Sequence, residues 1–144
     1  MTAERMTEAH LDGAAELERA CFSEPWSRHA LELLLTDEAI GYACVENDSV
    51  IAYGGMLIGP FEGQITNVAV HPNHRRRGLG LAVVEALVRE ARERGLEQIS
   101  LEVRTSNEAA IRLYERIGFS VAGVRRNFYR KPTEDACVML LSLQ

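Results

Sequence analysis

Apolar and polar positions along this chain follow two periods, and each marks out elements. Between Thr7 and Cys21 (TEAHLDGAAELERAC) the apolar groups fall at Leu11, Ala14, Ala15 and Leu17, the spacing that lines one face of a helix, with Thr7 placed to cap it. SRHALELLL, residues 27–35, predicts a second short helix opened by Ser27 after Pro25 and Trp26. Residues 39–46 and 49–58 read as strands joined at Asn47–Asp48, a hairpin turn pair, and GQITNVAV, residues 63–70, reads as another strand. Leu79, Ala82, Val83, Ala86, Leu87 and Ala91 place one apolar face on a helix over 79–94, which Gly95 stops behind Arg92 and Arg94. QISLEV, residues 98–103, is a strand; SNEAAIRLYERI, residues 106–117, is a helix ended by Gly118; two strands follow at about 119–129 and 135–143.

With a strand ahead of the first helix, the order is strand, helices, hairpin, strand, helix, strand, helix, two strands. Helices inserted between strands imply a mixed α/β sheet covered by helices. No repeat, linker or low-complexity stretch interrupts the 144 residues, so residues 1–144 are expected to form one domain around one core.

Composition narrows the partners. At 47% hydrophobic and 26% charged residues the chain is expected to be globular. No apolar run approaches the roughly 20 residues of a membrane span, and MTAERMTEAHLDG carries acids without the long apolar core of a signal peptide. The expectation is a cytoplasmic protein with no membrane partner. A net charge of -5 argues against a general nucleic-acid binder and suits a cationic substrate. Cys21, Cys44 and Cys137 lie far apart with no C-x-x-C, and read as reduced, small apolar side chains. His71 and His74 are close but have no acidic or cysteine partner at metal spacing, so no metal is expected.

The segment HPNHRRRGLG, residues 71–80, concentrates positive charge and glycine between a strand and a helix. Such a turn exposes unpaired N–H groups at a helix N-terminus, where the dipole also favours an anion. Gly78 and Gly80 would let the backbone approach a phosphate, and Arg75, Arg76 and Arg77 add charge. Neither a Gly-Lys-Ser/Thr sequence nor G-x-G-x-x-G is present. On the loop alone, a solvated basic turn reads equally well.

NVAV-HPNHRRRGLG followed by an amphipathic helix resembles the acetyl-CoA-binding motif of the GNAT acetyltransferases, Gln/Arg-x-x-Gly-x-Gly/Ala, with Arg75, Gly78 and Gly80 in its three places. LEVRTSNEAAIRLYERIGF (101–119) resembles the family's second signature, a strand and helix ending in Tyr-Glu-x-x-Gly-Phe. FSEPWS (22–27), RRNFY (125–129) and EDACVM (134–139) narrow the likeness to the bacterial ribosomal-protein-alanine N-acetyltransferases; relatives often carry two tyrosines where this chain has Phe128-Tyr129. The resemblance implies the GNAT fold, a central mixed, mostly antiparallel sheet of about seven strands flanked by about four helices. It implies acetyl-CoA as co-substrate and, as acceptor, a protein N-terminus, that of ribosomal protein S18.

The resemblance also implies roles for single residues. Glu102, between Leu101 and Val103, is the candidate base, acting through a water with a pKa raised by partial burial. The other reading is a strand-face glutamate paired with Arg104 or Arg125. Tyr114 is the candidate acid, or else a core aromatic. Asn107 is to bond the pantetheine arm, though capping alone would account for it. The backbone of Val68, Ala69 and Val70 is to pair with pantetheine, and the N–H groups of Arg76, Arg77, Gly78, Leu79, Gly80 and Leu81 are to hold the pyrophosphate, with Arg75 beside them. Trp26, Arg126 and Tyr129 are the candidate acceptor contacts, although Trp26 in the core fits as well. Arg125, Arg126, Arg130 and Lys131 read as a solvated basic turn rather than a ribosomal RNA contact. A lysine or small-amine acceptor, or a CoA-binding module without catalysis, stays open.

Overall fold

A computed structural model describes residues 2–144. In chain order it runs β1 (Glu4–Arg5), α1 (Leu11–Cys21), α2 (Arg28–Leu31), β2 (Ala39–Glu46), β3 (Ser49–Ile58), β4 (Glu62–Val70), α3 (Leu79–Glu93), β5 (Gln98–Arg104), α4 (Glu108–Ile117), β6 (Ser120–Tyr129) and β7 (Glu134–Ser142). The seven strands form one sheet in the order β1-β2-β3-β4-β5-β7-β6. Only β4 and β5 are parallel, so the sheet is mixed and mostly antiparallel, as expected.

Local chemistry explains most boundaries. Asn47 and Asp48 both adopt left-handed backbone, with φ of 52° and 64°, which is what a two-residue hairpin turn requires. Ser27 caps α2 by accepting the Ala30 N–H at 3.1 Å. The helix expected over 27–35 divides into α2 and a tighter turn at Glu32–Leu35, and a similar turn at Glu8–His10 precedes α1. β1 completes the sheet's edge by pairing with β2.

Alternation along the strands sorts apolar side chains onto two faces. On one, Ile40, Met56, Leu101 and Met139 meet Val83 and Leu87 of α3 and Tyr114 of α4. On the other, Ala43 and Tyr53 meet Leu11 and Leu17 of α1 and Leu31 of α2. β4 breaks the alternation. Gly55 of β3 pairs with Asn67 while Met56 pairs with Ile65, so Thr66 is an extra, bulged residue. Beyond the bulge the faces exchange: Ile65 and Val68, three apart, lie on the α3 side, and Asn67 turns toward α1.

β6 is the outer strand. Val121, Val124 and Phe128 on it are exposed, and its pairing with β7 is interrupted twice. No helix among the described residues is long and apolar enough to cross a membrane.

Gly54 seats α3 on the sheet. A Cβ there would lie 2.5 Å from Val83 Cγ1 and 3.4 Å from Leu87 Cδ1. Gly54→Ala is therefore expected to cost about 1–3 kcal/mol by overpacking. Urea unfolding checks this; an unchanged midpoint would mean that α3 shifts freely.

Candidate active site

β4 and β5 are paired only from Glu62–Gln98 to Ile65–Leu101. Beyond that the strands part, leaving Thr66–Val70 with β3 on one side and no strand on the other. The bulge at Thr66 lies where the two diverge. A cleft of about 690 Å³ fills the gap and is reached from both faces of the sheet, with Cys21 and Trp26 on the α1 side and Asn107 and Tyr114 on the α4 side.

Glu102 lies on the cleft wall, on the face opposite Leu101 and Val103. It does not pair with Arg104 or Arg125. Its partner is Gln64, whose Nε2 donates to Oε1 at 3.1 Å. Arg104 donates instead to Glu134 at 3.1 Å and to the carbonyls of Pro132 and Arg130 at 3.0 and 2.9 Å. Its guanidinium also lies 4.5 Å from the centre of the Tyr129 ring. Tyr129 lines the cleft, and burial, followed by the charge of Glu102, raises its hydroxyl to about 12.

Tyr114 is packed edge-on against Phe119 and buried, and burial pushes its hydroxyl well above the ordinary tyrosine range. The hydroxyl makes no hydrogen bond among the described residues, yet it is not sealed from solvent, so it opens onto the cleft. Asn107 caps α4: its Oδ1 accepts the Ala110 N–H at 3.2 Å, which leaves its Nδ2 for another acceptor.

The loop before α3 is partly self-satisfied. Arg77 pairs with Glu46 at 2.7 Å, and Arg75 folds back so that its Nε donates to the Val70 carbonyl at 3.3 Å. Among the described residues only Arg76 of the three arginines has no such partner. Gly78 has φ of 74° and faces open space, since a Cβ there would meet nothing within 4 Å. Gly80 carries a packing constraint as well. It is buried, and a Cβ there would lie 3.1 Å from Leu113 Cδ1, so its small size also serves packing of α3 against α4. Leu79 is buried in the core under the same turn.

Trp26 sits at the cleft mouth. Arg126 is exposed on β6 and does not line the cleft. The sequence reading missed Glu18, the only fully buried charged residue of those described. Its Oε1 accepts the Trp26 N–H at 2.7 Å, and its Oε2 accepts from Asn67 Nδ2 at 2.9 Å and from the Tyr53 hydroxyl. A signal was there, since Glu18 falls on the apolar stripe seven residues after Leu11 and four after Ala14. Gln64 carried no comparable signal.

The model of the acetyltransferase (GNAT) family matches residues 11–119. The chain belongs to the GNAT family. It is an acetyl-CoA-dependent N-acetyltransferase. It is similar to the [ribosomal protein bS18]-alanine N-acetyltransferases of Escherichia coli K12 and Salmonella typhimurium, 36% identical to each over 137 residues, 92% of this chain and 91% of theirs. The crystal structure of the ribosomal-protein-S18-alanine N-acetyltransferase from Escherichia coli superposes with a TM-score of 0.91 at 33% identity, over 99% of this chain and 94% of that one. This GNAT chain therefore shares the fold of that Escherichia coli enzyme.

Glu134 ties the wall that carries Tyr129. Hydrogen bonds from Ser106, Arg104 and Thr105 lower its carboxyl from 4.5 to about 2, against the effect of burial. A depressed carboxyl contributes stability above its unfolded value and loses it as pH falls through the folded one. Glu134→Gln is expected to flatten the fall of thermal stability between pH 4.5 and about 2. An acid profile identical to the parent's would show that the tie adds nothing.

Proposed function

We propose that this chain acetylates the α-amine of a protein N-terminus, that its acceptor is the N-terminal alanine of ribosomal protein S18, and that it acts in the cytoplasm. The observation that carries the reading is the cleft through the sheet, which gives Glu102 and Tyr114 access to one space from opposite faces. Support for the acceptor comes from the 36% identity to enzymes named for it. A net charge of -5 suits a basic ribosomal tail.

The co-substrate fits the free backbone. Val68 to Val70 offer the pantetheine arm an edge with no neighbouring strand, the Val70 carbonyl accepting from Arg75, with Asn107 Nδ2 as a further donor. The N–H groups from Arg76 to Leu81 cradle the pyrophosphate at the open face of Gly78. Arg75 and Arg77 contribute main chain here, because their guanidiniums are held within the protein. The acceptor enters past Trp26 and Tyr129; Arg126 is left out of its path.

Bound acetyl-CoA supplies an electrophilic thioester carbonyl. An α-ammonium has a pKa of roughly 8, so part of it must lose a proton at neutral pH. Glu102 takes that proton through a water, with Gln64 fixing the carboxylate. Tyr114 hydrogen-bonds the departing sulfur. Proton transfer from an ordinary tyrosine to a thiolate is uphill by about 2 kcal/mol, and burial widens that gap. Tyr114 therefore acts as a hydrogen-bond donor until negative charge has built up on sulfur.

Glu102→Gln and Tyr114→Phe are each expected to lower kcat/KM by about 100-fold or more while acetyl-CoA binding persists. Steady-state kinetics with calorimetry would show this, and full activity in either variant removes that residue's role. Gly78→Glu places a negative charge against the phosphates and is expected to weaken acetyl-CoA binding by about 100-fold. Unchanged affinity in folded protein would remove the cradle. For the acceptor, mass spectrometry is applied to two peptides, one copying the S18 N-terminus and one with a blocked N-terminus and a free lysine. One acetyl group on the first alone is expected. Labelling of the lysine would move the reading to side-chain amines.

A further inference from the structure

Glu18 has no part in the chemistry described above, yet both of its carboxylate oxygens are held by hydrogen bonds. A carboxylate without solvent exposure is costly unless its lone pairs are filled. The three donors that fill them come from three segments: the Trp26 backbone on the loop after α1, Tyr53 on β3 and Asn67 on β4. Two of these segments, the Trp26 loop and β4, line the cleft side by side. Trp26 stands on the acceptor side, and Asn67 directly precedes Val68 on the unpaired edge of β4.

The bulge at Thr66 is what makes this clamp possible. In an unbulged strand Asn67, two residues on, would share the face of Ile65 and point toward α3, away from Glu18. The bulge, the amide at 67 and the carboxylate at 18 therefore form one device.

We propose that Glu18 is a positioning residue, a buried clamp that fixes the Trp26 loop against β4 and so sets where the acceptor amine meets the thioester. The proposal rests on the acceptor entering past Trp26. It assigns the clamp to hydrogen bonding. Glutamine at 18 keeps an acceptor for the Trp26 N–H, and its Nε2 donates to the Asn67 Oδ1 once that amide turns over, whereas alanine loses every contact.

Trp26 is the chain's single tryptophan, so its fluorescence reports the clamp without any acceptor. In Glu18→Ala, acrylamide quenching of Trp26 is expected to rise about twofold and the KM for the S18-like peptide by about tenfold or more. The Kd for acetyl-CoA, which draws on the loop before α3 and on Val68 and Ala69, still paired to β3, is expected to stay within about threefold. Glu18→Gln is expected to restore both affected readouts. Leu141→Ala, a core truncation at the far end of the sheet, controls for lost stability and is expected to move neither. The proposal fails if Glu18→Ala leaves quenching and peptide KM unchanged, if acetyl-CoA affinity falls as far as peptide affinity, or if Glu18→Gln is as impaired as the alanine variant. Should Glu18→Ala not fold, Asn67→Ala removes the β4 contact alone. A smaller rise in peptide KM and quenching is then expected, and no rise overturns the clamp. A parent enzyme that leaves the peptide unmodified refutes the acceptor assignment only, because Trp26 quenching still decides the role of Glu18.

Discussion

Everything at this site depends on a parallel pair that stops early. β4 and β5 share backbone hydrogen bonds through Ile65 and Leu101 and then diverge. Parallel strands joined by a helix normally continue side by side with both faces covered. Here the interrupted ladder leaves main-chain donors and acceptors of β4 without a strand partner, and unpaired backbone in a partly buried cleft favours an extended ligand. The same gap puts the two faces of the sheet in communication. Residues of the α4 side and of the α1 side thus line one cleft.

Charged groups tie the cleft walls in addition to the apolar packing of Ile65, Leu101, Val103 and Tyr114. Glu134 gathers Ser106, Thr105 and Arg104 on one side, while Glu18 gathers Trp26, Tyr53 and Asn67 on the other. Hydrogen bonds have direction and fix groups more narrowly than apolar contacts do. A groove that must remain open also cannot be filled with side chains, so its walls need ties lying outside the opening.

Strand and helix limits were legible because each element carries its own period and punctuation: Asn47–Asp48 at the hairpin, Ser27 and Asn107 at helix starts, Gly118 at a helix end. Glu102 could be placed on its face because β5 alternates without interruption. Asn67 could not, because a one-residue bulge inverts the face and leaves no reliable mark in a short apolar strand. The arginines' partners were not legible either: Glu46, distant in sequence, pairs with Arg77, and the Val70 carbonyl accepts from Arg75. Gly80 reads in the sequence as part of the loop's flexibility; the position of Leu113 adds a packing reason for a small residue there. Glu18 was visible as a charge on an apolar stripe, while its three partners, scattered between residues 26 and 67, were not.

β6, the outer strand, closes the sheet beyond β7 with a row of exposed side chains, Val121, Val124 and Phe128 among them. An apolar strand at an open edge is normally a template on which another chain can add. This one is a poor template. Its ladder slips between Val121 and Gly123 and again between Arg125 and Tyr129, and Asn127 turns left-handed with φ of 52°. An incoming strand would meet bonding groups out of step, beside the charges of Arg125 and Arg126. The irregularity that makes β6 untidy as a strand thus protects the protein from edge-to-edge aggregation, and lets it keep apolar side chains in water next to the mouth of its cleft.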